Sequence, residues 1–226
     1  MASKDKKTKD DFNAAAPKHP EMALDDLLPT QITVGMHAMH HKAERLHDLK
    51  DKPKQLKEYL DERPIEVVLG PGGKAYVIDH HHLALALLHE GYKKAQVHIV
   101  DDLSKEPSQE AFWKKMEEKK YVHPYDADGK EQPISAIPKR LKDLVDDPYR
   151  SLAGFVRDMG LYKKVTTPFA EFKWADYFRK IIPLKDVNDN FDNALKLAGM
   201  LAGLSSAAHL PGFIKPKKKD GPKAKS

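Results

Sequence analysis

Between residues 38 and 61, Leu46, Leu49, Leu56 and Leu60 recur at roughly helical spacing among charged neighbours, which predicts amphipathic helix. Pro53 falls inside that stretch. Its ring removes a backbone donor and fixes φ, so it ends one helix and opens a second. Upstream, Ile32 and Val34 alternate with polar neighbours, as in a half-buried strand. Ile65–Leu69 is rich in β-branched residues, and Ala75–Asp79 follows after Gly70-Pro71-Gly72-Gly73. Two short apolar runs joined by a glycine turn predict a hairpin. From His80 the chain becomes leucine- and alanine-rich, which predicts a helix stopped by Gly91 at its C-cap. Ala95–Val100 reads as a further strand and Pro107–Lys120 as a further helix.

After Tyr121 the pattern changes. Pro133, Pro138 and Pro148 interrupt the chain, and Ser151–Met159, Phe169–Ile181 and Asn190–Leu204 then read as helices. Nine of the 18 aromatic residues lie between Tyr149 and Phe191, a concentration that implies a helical core or cover. No internal repeat is visible. The expected organisation is a disordered basic tail over residues 1–22, an α/β domain over 23–125, a helical extension over 126–214 and a disordered lysine-rich tail over 215–226.

The 226 residues suffice for one elaborated domain or two small ones, with a core large enough to need no covalent staples. Cysteine is absent, which excludes disulfide scaffolds, thiolate zinc sites, iron–sulfur clusters and cysteine nucleophiles. No run of 18 apolar residues exists, and the first 20 residues are polar and lysine-rich. Neither a membrane span nor a signal peptide is expected, and a cytoplasmic location follows unless a leader precedes the chain. The net charge of +5 points to nucleic acid until it is located. Residues 1–10 carry +2 and residues 215–226 carry +5, leaving −2 for the body. The basicity sits in the tails, where DNA binding would be weak and salt-dependent.

The sharpest chemical feature is Tyr76-Val77-Ile78-Asp79-His80-His81-His82, where the predicted strand runs into the predicted helix. A helix N-terminus presents unpaired N–H groups and the positive end of the dipole, a setting that holds phosphate. Imidazoles add donors that titrate near neutrality. Asp79 can cap the helix, ligate a divalent cation or act as a base. Consecutive helical histidines point about 100° apart, so at most two of the three face a common site. Gly70-Pro71-Gly72-Gly73-Lys74 lacks the Walker spacing and reads as a hairpin turn, from which Lys74 can lean toward an anion at the nearby helix end. His37 and His41, and His40 and His47, share helical faces that suit zinc or nickel, without the H-E-x-x-H pattern of a catalytic zincin. Arg150 and Arg157 lie seven residues apart and can converge on a phosphate or on the many carboxylates. Glu171 stands among aromatic residues, where burial would raise its pKa toward general acid/base use.

Together, Leu28-Pro29-Thr30-Gln31, Val34-Gly35, Asp79-His80-His81-His82 and Asp101-Asp102-Leu103-Ser104 resemble the ParB-like nuclease family of the ParB/sulfiredoxin superfamily, with Asp146–Gly154 and Pro168–Arg179 similar to its helical extension. The resemblance covers residues 24 to 214. It implies an α/β (α+β) fold, a ParB/sulfiredoxin-like N-terminal domain with a helical C-terminal extension. It also implies nucleotide or phosphate binding at the helix that follows the signature strand. Asp79, His81 and His82 fall on the phosphate-handling positions, His80 replaces a customary glycine, and Leu83 stands in place of a signature arginine. The missing arginine departs from the pattern of triphosphate binders, and the missing cysteine excludes sulfiredoxin-type chemistry. The helix-turn-helix of partition proteins is not recognisable.

The leading expectation is an enzyme acting on a phosphate ester, by nuclease-type hydrolysis or nucleotide-dependent phosphoryl transfer. Asp79, His81 and His82 would be catalytic, with Asp79 also the ligand of a Mg²⁺ or Mn²⁺ ion. His80, Lys74 and Arg150 would bind phosphate, and Glu171 would serve as acid or base. The expected partner is a nucleotide or phosphate ester, with nucleic acid a further candidate. The alternatives are a non-catalytic module sensing a nucleotide or anion, and a DNA-binding protein.

Overall fold

A computed structural model describes residues 18–215; the expectations of disordered tails at 1–17 and 216–226 lie outside the described residues. The chain divides into two compact units between Asp147 and Pro148.

The first unit opens with strands β1 (Glu21–Ala23), β2 (Leu27–Pro29) and β3 (Thr33–Val34), followed by helices α1 (Met36–Leu49) and α2 (Pro53–Asp61). Pro53 is the first residue of α2, as its missing donor requires. Strands β4 (Ile65–Leu69) and β5 (Ala75–Asp79) pair antiparallel as the predicted hairpin. The Gly70 N–H donates to the Lys74 carbonyl at 2.8 Å across the turn. A Cβ on Gly70 would come within 2.6 Å of the Tyr76 ring and 2.8 Å of Phe112, so glycine is required there by space. Helix α3 (His81–His89) follows directly. At its end the Tyr92 N–H donates to the Leu87 carbonyl and the Gly91 N–H to the Leu88 carbonyl, both at 3.0 Å. With Gly91 at φ 80°, this is a Schellman stop. Strand β6 (Lys94–Asp102), helix α4 (Gln109–Glu118) and strand β7 (Val145–Asp146) complete the unit. The Ser108 side chain caps α4 by accepting the Ala111 N–H.

The main sheet has the order β1-β6-β4-β5-β2 and mixes parallel and antiparallel pairs. One face, carrying Ile65, Val67, Ala75, Val77, Ala95 and Val97, packs against α1 and α3. Helix α1 presents a stripe of Met39, Ala43, Leu46 and Leu49, whereas α3 buries Leu83 through Leu87 continuously and is apolar around its circumference. Each such leucine or methionine, fully removed from water, contributes roughly 1.5–3 kcal/mol. The other face, through Val68 and Tyr76, packs on Phe112 and Met116 of α4. A sheet between two helical layers results, an α+β arrangement.

Two sequence expectations need correction. Residues 21 and 22, assigned to the basic tail, form β1 together with Ala23, because Glu21–Ala23 align with Lys94–Gln96 at the sheet edge. Residues 126–147, assigned to the helical extension, belong with the sheet. Leu141 and Leu144 join its core, β7 pairs in parallel with β3, and the Val145 N–H donates to the Ile32 carbonyl at 3.0 Å.

The second unit consists of α5 (Pro148–Asp158), α6 (Ala170–Arg179), α7 (Leu184–Asp189) and α8 (Phe191–Ala202). Its core joins Trp174 and Phe178 of α6 to Tyr149, Leu152 and Val156 of α5 and to Ala194, Ala198 and Leu201 of α8. The Trp174 and Tyr162 rings stack at 4.3 Å. Tyr149, Tyr162, Trp174, Tyr177 and Phe178 are core, whereas Phe155, Phe169, Phe172 and Phe191 are half-buried around it. Among the described residues, no helix is long and apolar enough to cross a membrane.

Candidate functional site

Strand β5 delivers Asp79 to the edge of solvent, and one residue later the backbone turns sharply into α3. The turn is made by His80, which adopts a left-handed conformation at φ 67° and ψ 25°. A residue with a Cβ pays for that conformation, which explains why a glycine is customary there in the family that the sequence resembles. Two contacts hold His80 in place. Its N–H donates to Asp79 Oδ1 at 2.6 Å, and its Nδ1 lies 2.8 Å from the Pro64 carbonyl, the geometry of a ring N–H donor. The Asp79 carboxylate thus braces the turn rather than capping the second or third residue of α3, and the His80 side chain makes no cap either.

The next two histidines face a loop that lies about 50 residues upstream. The Thr30 N–H donates to Nε2 of the buried His81 at 3.4 Å, and the Gly35 N–H donates to Nε2 of the half-buried His82 at 3.0 Å. Both ends of the segment Thr30–Gly35 are thereby tied to the first turn of α3. Further bonds fix the same segment. The Thr30 hydroxyl donates to the Val77 carbonyl at 2.7 Å, the Gln31 amide to the Thr33 carbonyl at 2.7 Å, and the Met36 N–H to Asp146 Oδ1 at 2.8 Å. Thr30, Gln31 and Thr33 are all buried, so these bonds satisfy polar groups that would otherwise be costly in the interior.

This arrangement alters the roles assigned from sequence. His81 and His82 were expected to hold phosphate oxygens, yet their Nε2 atoms accept backbone protons, so any donation to an anion falls to Nδ1. They act first as positioning residues for the loop. The loop itself, with Thr30, Gln31, Thr33 and Gly35, is the part sequence reasoning did not assign a role. The signal available was polar residues between apolar ones in Leu28-Pro29-Thr30-Gln31-Ile32-Thr33-Val34. Asp79 remains exposed, and β-sheet register sets Glu66 of β4 opposite it, a second carboxylate at the same strand end. Lys74 is exposed on the hairpin turn, at the opposite end of the five-residue β5 from Asp79, so the expectation that it leans toward an anion at the start of α3 is not met: about 16 Å of extended strand separates them.

Arg150 and Glu171 belong to the second unit. Arg150 is buried, with its guanidinium 3.3 Å from the Phe172 ring centre in a cation–π contact. Of the two expectations for Arg157, a phosphate or the chain's own carboxylates, the structure shows the second: it pairs with Glu171 and Asp158. The expectation that Glu171 is enclosed by aromatic side chains is not met: its side chain is 29% exposed and holds a guanidinium. Among the described residues, no three histidine, aspartate or glutamate side chains already converge as a metal-ligand set.

The protein Atu1540 from Agrobacterium tumefaciens, known from a crystal structure, is 39% identical and superposes with a TM-score of 0.80, covering 88% of this chain and 97% of that one. No curated protein matches the chain. A family model described as "Putative ParB-like nuclease" matches residues 20–180, a span that takes in the stapled loop, the Asp79–His82 turn and both α5 and α6. The chain belongs to the ParB-like nuclease family.

Proposed function

We propose that the N-terminus of α3, with the Thr30–Gly35 loop tied to it, binds the phosphate of a nucleotide or nucleic-acid backbone, and that the chain acts there on a phosphate ester. The observation that carries this reading is the His80 turn. A left-handed residue ends β5 abruptly and starts α3 with no side-chain cap. Its first-turn N–H groups and dipole are set for an anion. Family membership supports nuclease-type hydrolysis over other phosphate chemistry; we read the first unit as a ParB/sulfiredoxin-like domain.

A magnesium or manganese ion fits the residues at this strand end. Mg²⁺ is commonly held by one or two carboxylates together with substrate phosphates, and Asp79 with its cross-strand neighbour Glu66 supplies that number. Such an ion would neutralise charge developing on the phosphate. Asp79 Oδ1 is committed to the His80 N–H, so the remaining oxygen would face ion or water. His81 and His82 would keep the loop in place.

A second reading, a non-catalytic nucleotide or anion sensor, is favoured by one specific observation: both histidines use Nε2 to hold backbone rather than to face solvent. One experiment separates the two. Purified protein is incubated with a single-stranded oligonucleotide or nucleoside triphosphate and Mg²⁺ or Mn²⁺, and products are resolved by chromatography. Time-dependent product that Asp79→Asn abolishes supports catalysis. Saturable binding without product supports the sensor. Calorimetry that detects no nucleotide or phosphate binding in wild type would remove both.

A further inference from the structure

A second segment runs beside the Thr30–Gly35 loop. Residues 122–125 alternate in burial: Val122 and Pro124 are buried, His123 and Tyr125 half-buried. Gln31 and His123 form a parallel bridge, and the His123 N–H donates to the Thr30 carbonyl at 2.9 Å. Thr30 is also the residue whose N–H meets Nε2 of His81 in the first turn of α3. Two hydrogen bonds and one residue thus join them, so the His123 nitrogen lies at most about 10 Å from that imidazole. In an ordinary strand the side chains of His123 and Tyr125 would stand about 6.6 Å apart. Here the Tyr125 N–H donates to the His123 carbonyl at 3.0 Å, a three-residue turn centred on Pro124. The two rings close to 4.1 Å at an interplanar angle of 12°, a stacked pair.

Backbone bonds fix the pair. The Gln132 N–H donates to the Pro124 carbonyl at 2.8 Å and the Asp126 N–H to the Lys130 carbonyl at 3.0 Å, with Tyr125 and Glu131 bridged antiparallel. The Asp126 carboxylate accepts the Asp128 and Lys130 N–H groups and the Gln132 side-chain amide. Tyr125 joins none of the apolar cores among the described residues, and both rings keep part of their surface toward solvent. A half-exposed aromatic pair suits another flat ring. Nucleobases stack on phenol and imidazole faces regardless of sequence, because every base has a π-face. A platform already fixed by its own backbone loses little freedom when a base settles on it. We propose that His123 and Tyr125 stack the nucleobase of the ligand whose phosphate binds at the start of α3. The inference rests on that phosphate reading and narrows its ligand to one carrying a base, either a free nucleotide or an unpaired position in a nucleic-acid strand.

The test uses the full chain, titrated by calorimetry in the presence of Mg²⁺. The probes are ribose phosphate, adenosine monophosphate and a short single-stranded oligonucleotide. Wild type should bind adenosine monophosphate more tightly than ribose phosphate by roughly 5- to 150-fold, the range for one stacked base. His123→Ala/Tyr125→Ala should erase that preference while leaving the ribose phosphate isotherm unchanged. The His123 N–H bond to Thr30 is made by backbone and survives the substitution, so unchanged ribose phosphate binding also checks that the loop is intact. Tyr125→Phe keeps a π-face and should keep the preference. An oligonucleotide that binds more tightly than the monophosphate, with the gain lost in the double variant, assigns the platform to a strand. One that binds no more tightly assigns it to a free nucleotide. Equal wild-type affinities for ribose phosphate and adenosine monophosphate would overturn the platform and leave the phosphate site standing, as would a preference that persists in the double variant. Failure to bind any of the three probes would remove both.

Discussion

In residues 18–147 the buried polar side chains hold a loop, whereas in residues 148–215 they close a core. Thr30, Gln31 and His81 bond to backbone within or beside the Thr30–Gly35 segment and so define the surroundings of α3's first turn. In the second unit the Tyr149 hydroxyl donates to the Ile182 carbonyl, the Tyr162 hydroxyl to Ala153, and the Trp174 indole N–H to Pro211. Those bonds satisfy large aromatic side chains inside a packed interior. The difference separates the proposed site from the supporting core. A buried polar group that restrains a loop at a helix N-terminus shapes a site. A buried polar group at the tip of a core aromatic serves stability.

The comparison breaks most severely if its stability half is wrong. Trp174→Ala removes a fully buried indole stacked on Tyr162, and should cost about 3–5 kcal/mol of stability in the second unit. Loss of near-UV circular dichroism at a markedly lower temperature would register it. His81→Ala is the counterpart in the first unit. It strands the Thr30 N–H and should cost about 1–3 kcal/mol, while weakening phosphate binding by more than its stability loss accounts for. Paired melting and calorimetry on that variant decide whether loop position matters to the ligand.

His80 sharpens the picture at smaller magnitude. His80→Gly relieves the left-handed conformation but loses the Pro64 contact, whereas His80→Ala keeps the strain and loses the contact as well. The alanine variant should be less stable than the glycine variant by roughly 1–2 kcal/mol in urea unfolding. Equal stabilities would argue against a strained turn. The smallest effect is confined to alkaline pH. Burial pushes the Tyr162 phenol well above its ordinary pKa, so the folded chain keeps it protonated while the unfolded chain ionises it near pH 10. Its contribution is intact below that pH and is lost as pH rises above about 10. Tyr162→Phe should flatten the alkaline decline in melting temperature.

How much of this was legible depended on how local the cause was. The β4–β5 hairpin followed from two apolar runs around glycines, and the α1/α2 break from Pro53, because each signal acts within a few residues. The pairing of β3 with β7 joins two-residue strands more than 100 positions apart and leaves no periodic trace. The same distance hid β1, whose three residues become a strand only by meeting Lys94–Gln96. At the site, the abrupt passage from strand into helix at Asp79–His82 was readable, because it too is local. The use of His81 and His82 as acceptors was not, because their partners are backbone N–H groups of Thr30 and Gly35, and backbone carries no sequence label. Glu171 was misread for a related reason. Its aromatic neighbours in sequence suggested burial, but Arg157, one helix earlier, claims its carboxylate.

The central claim is that phosphate binds at the first turn of α3 beside the tethered loop. Amide chemical-shift mapping by NMR during titration with a nucleotide and Mg²⁺ tests it most directly. The account predicts saturable shifts concentrated at His80–Leu83 and Thr30–Gly35, lost in Asp79→Ala and in His81→Ala. Shifts confined to other surfaces, or none at all at saturating nucleotide, would contradict it.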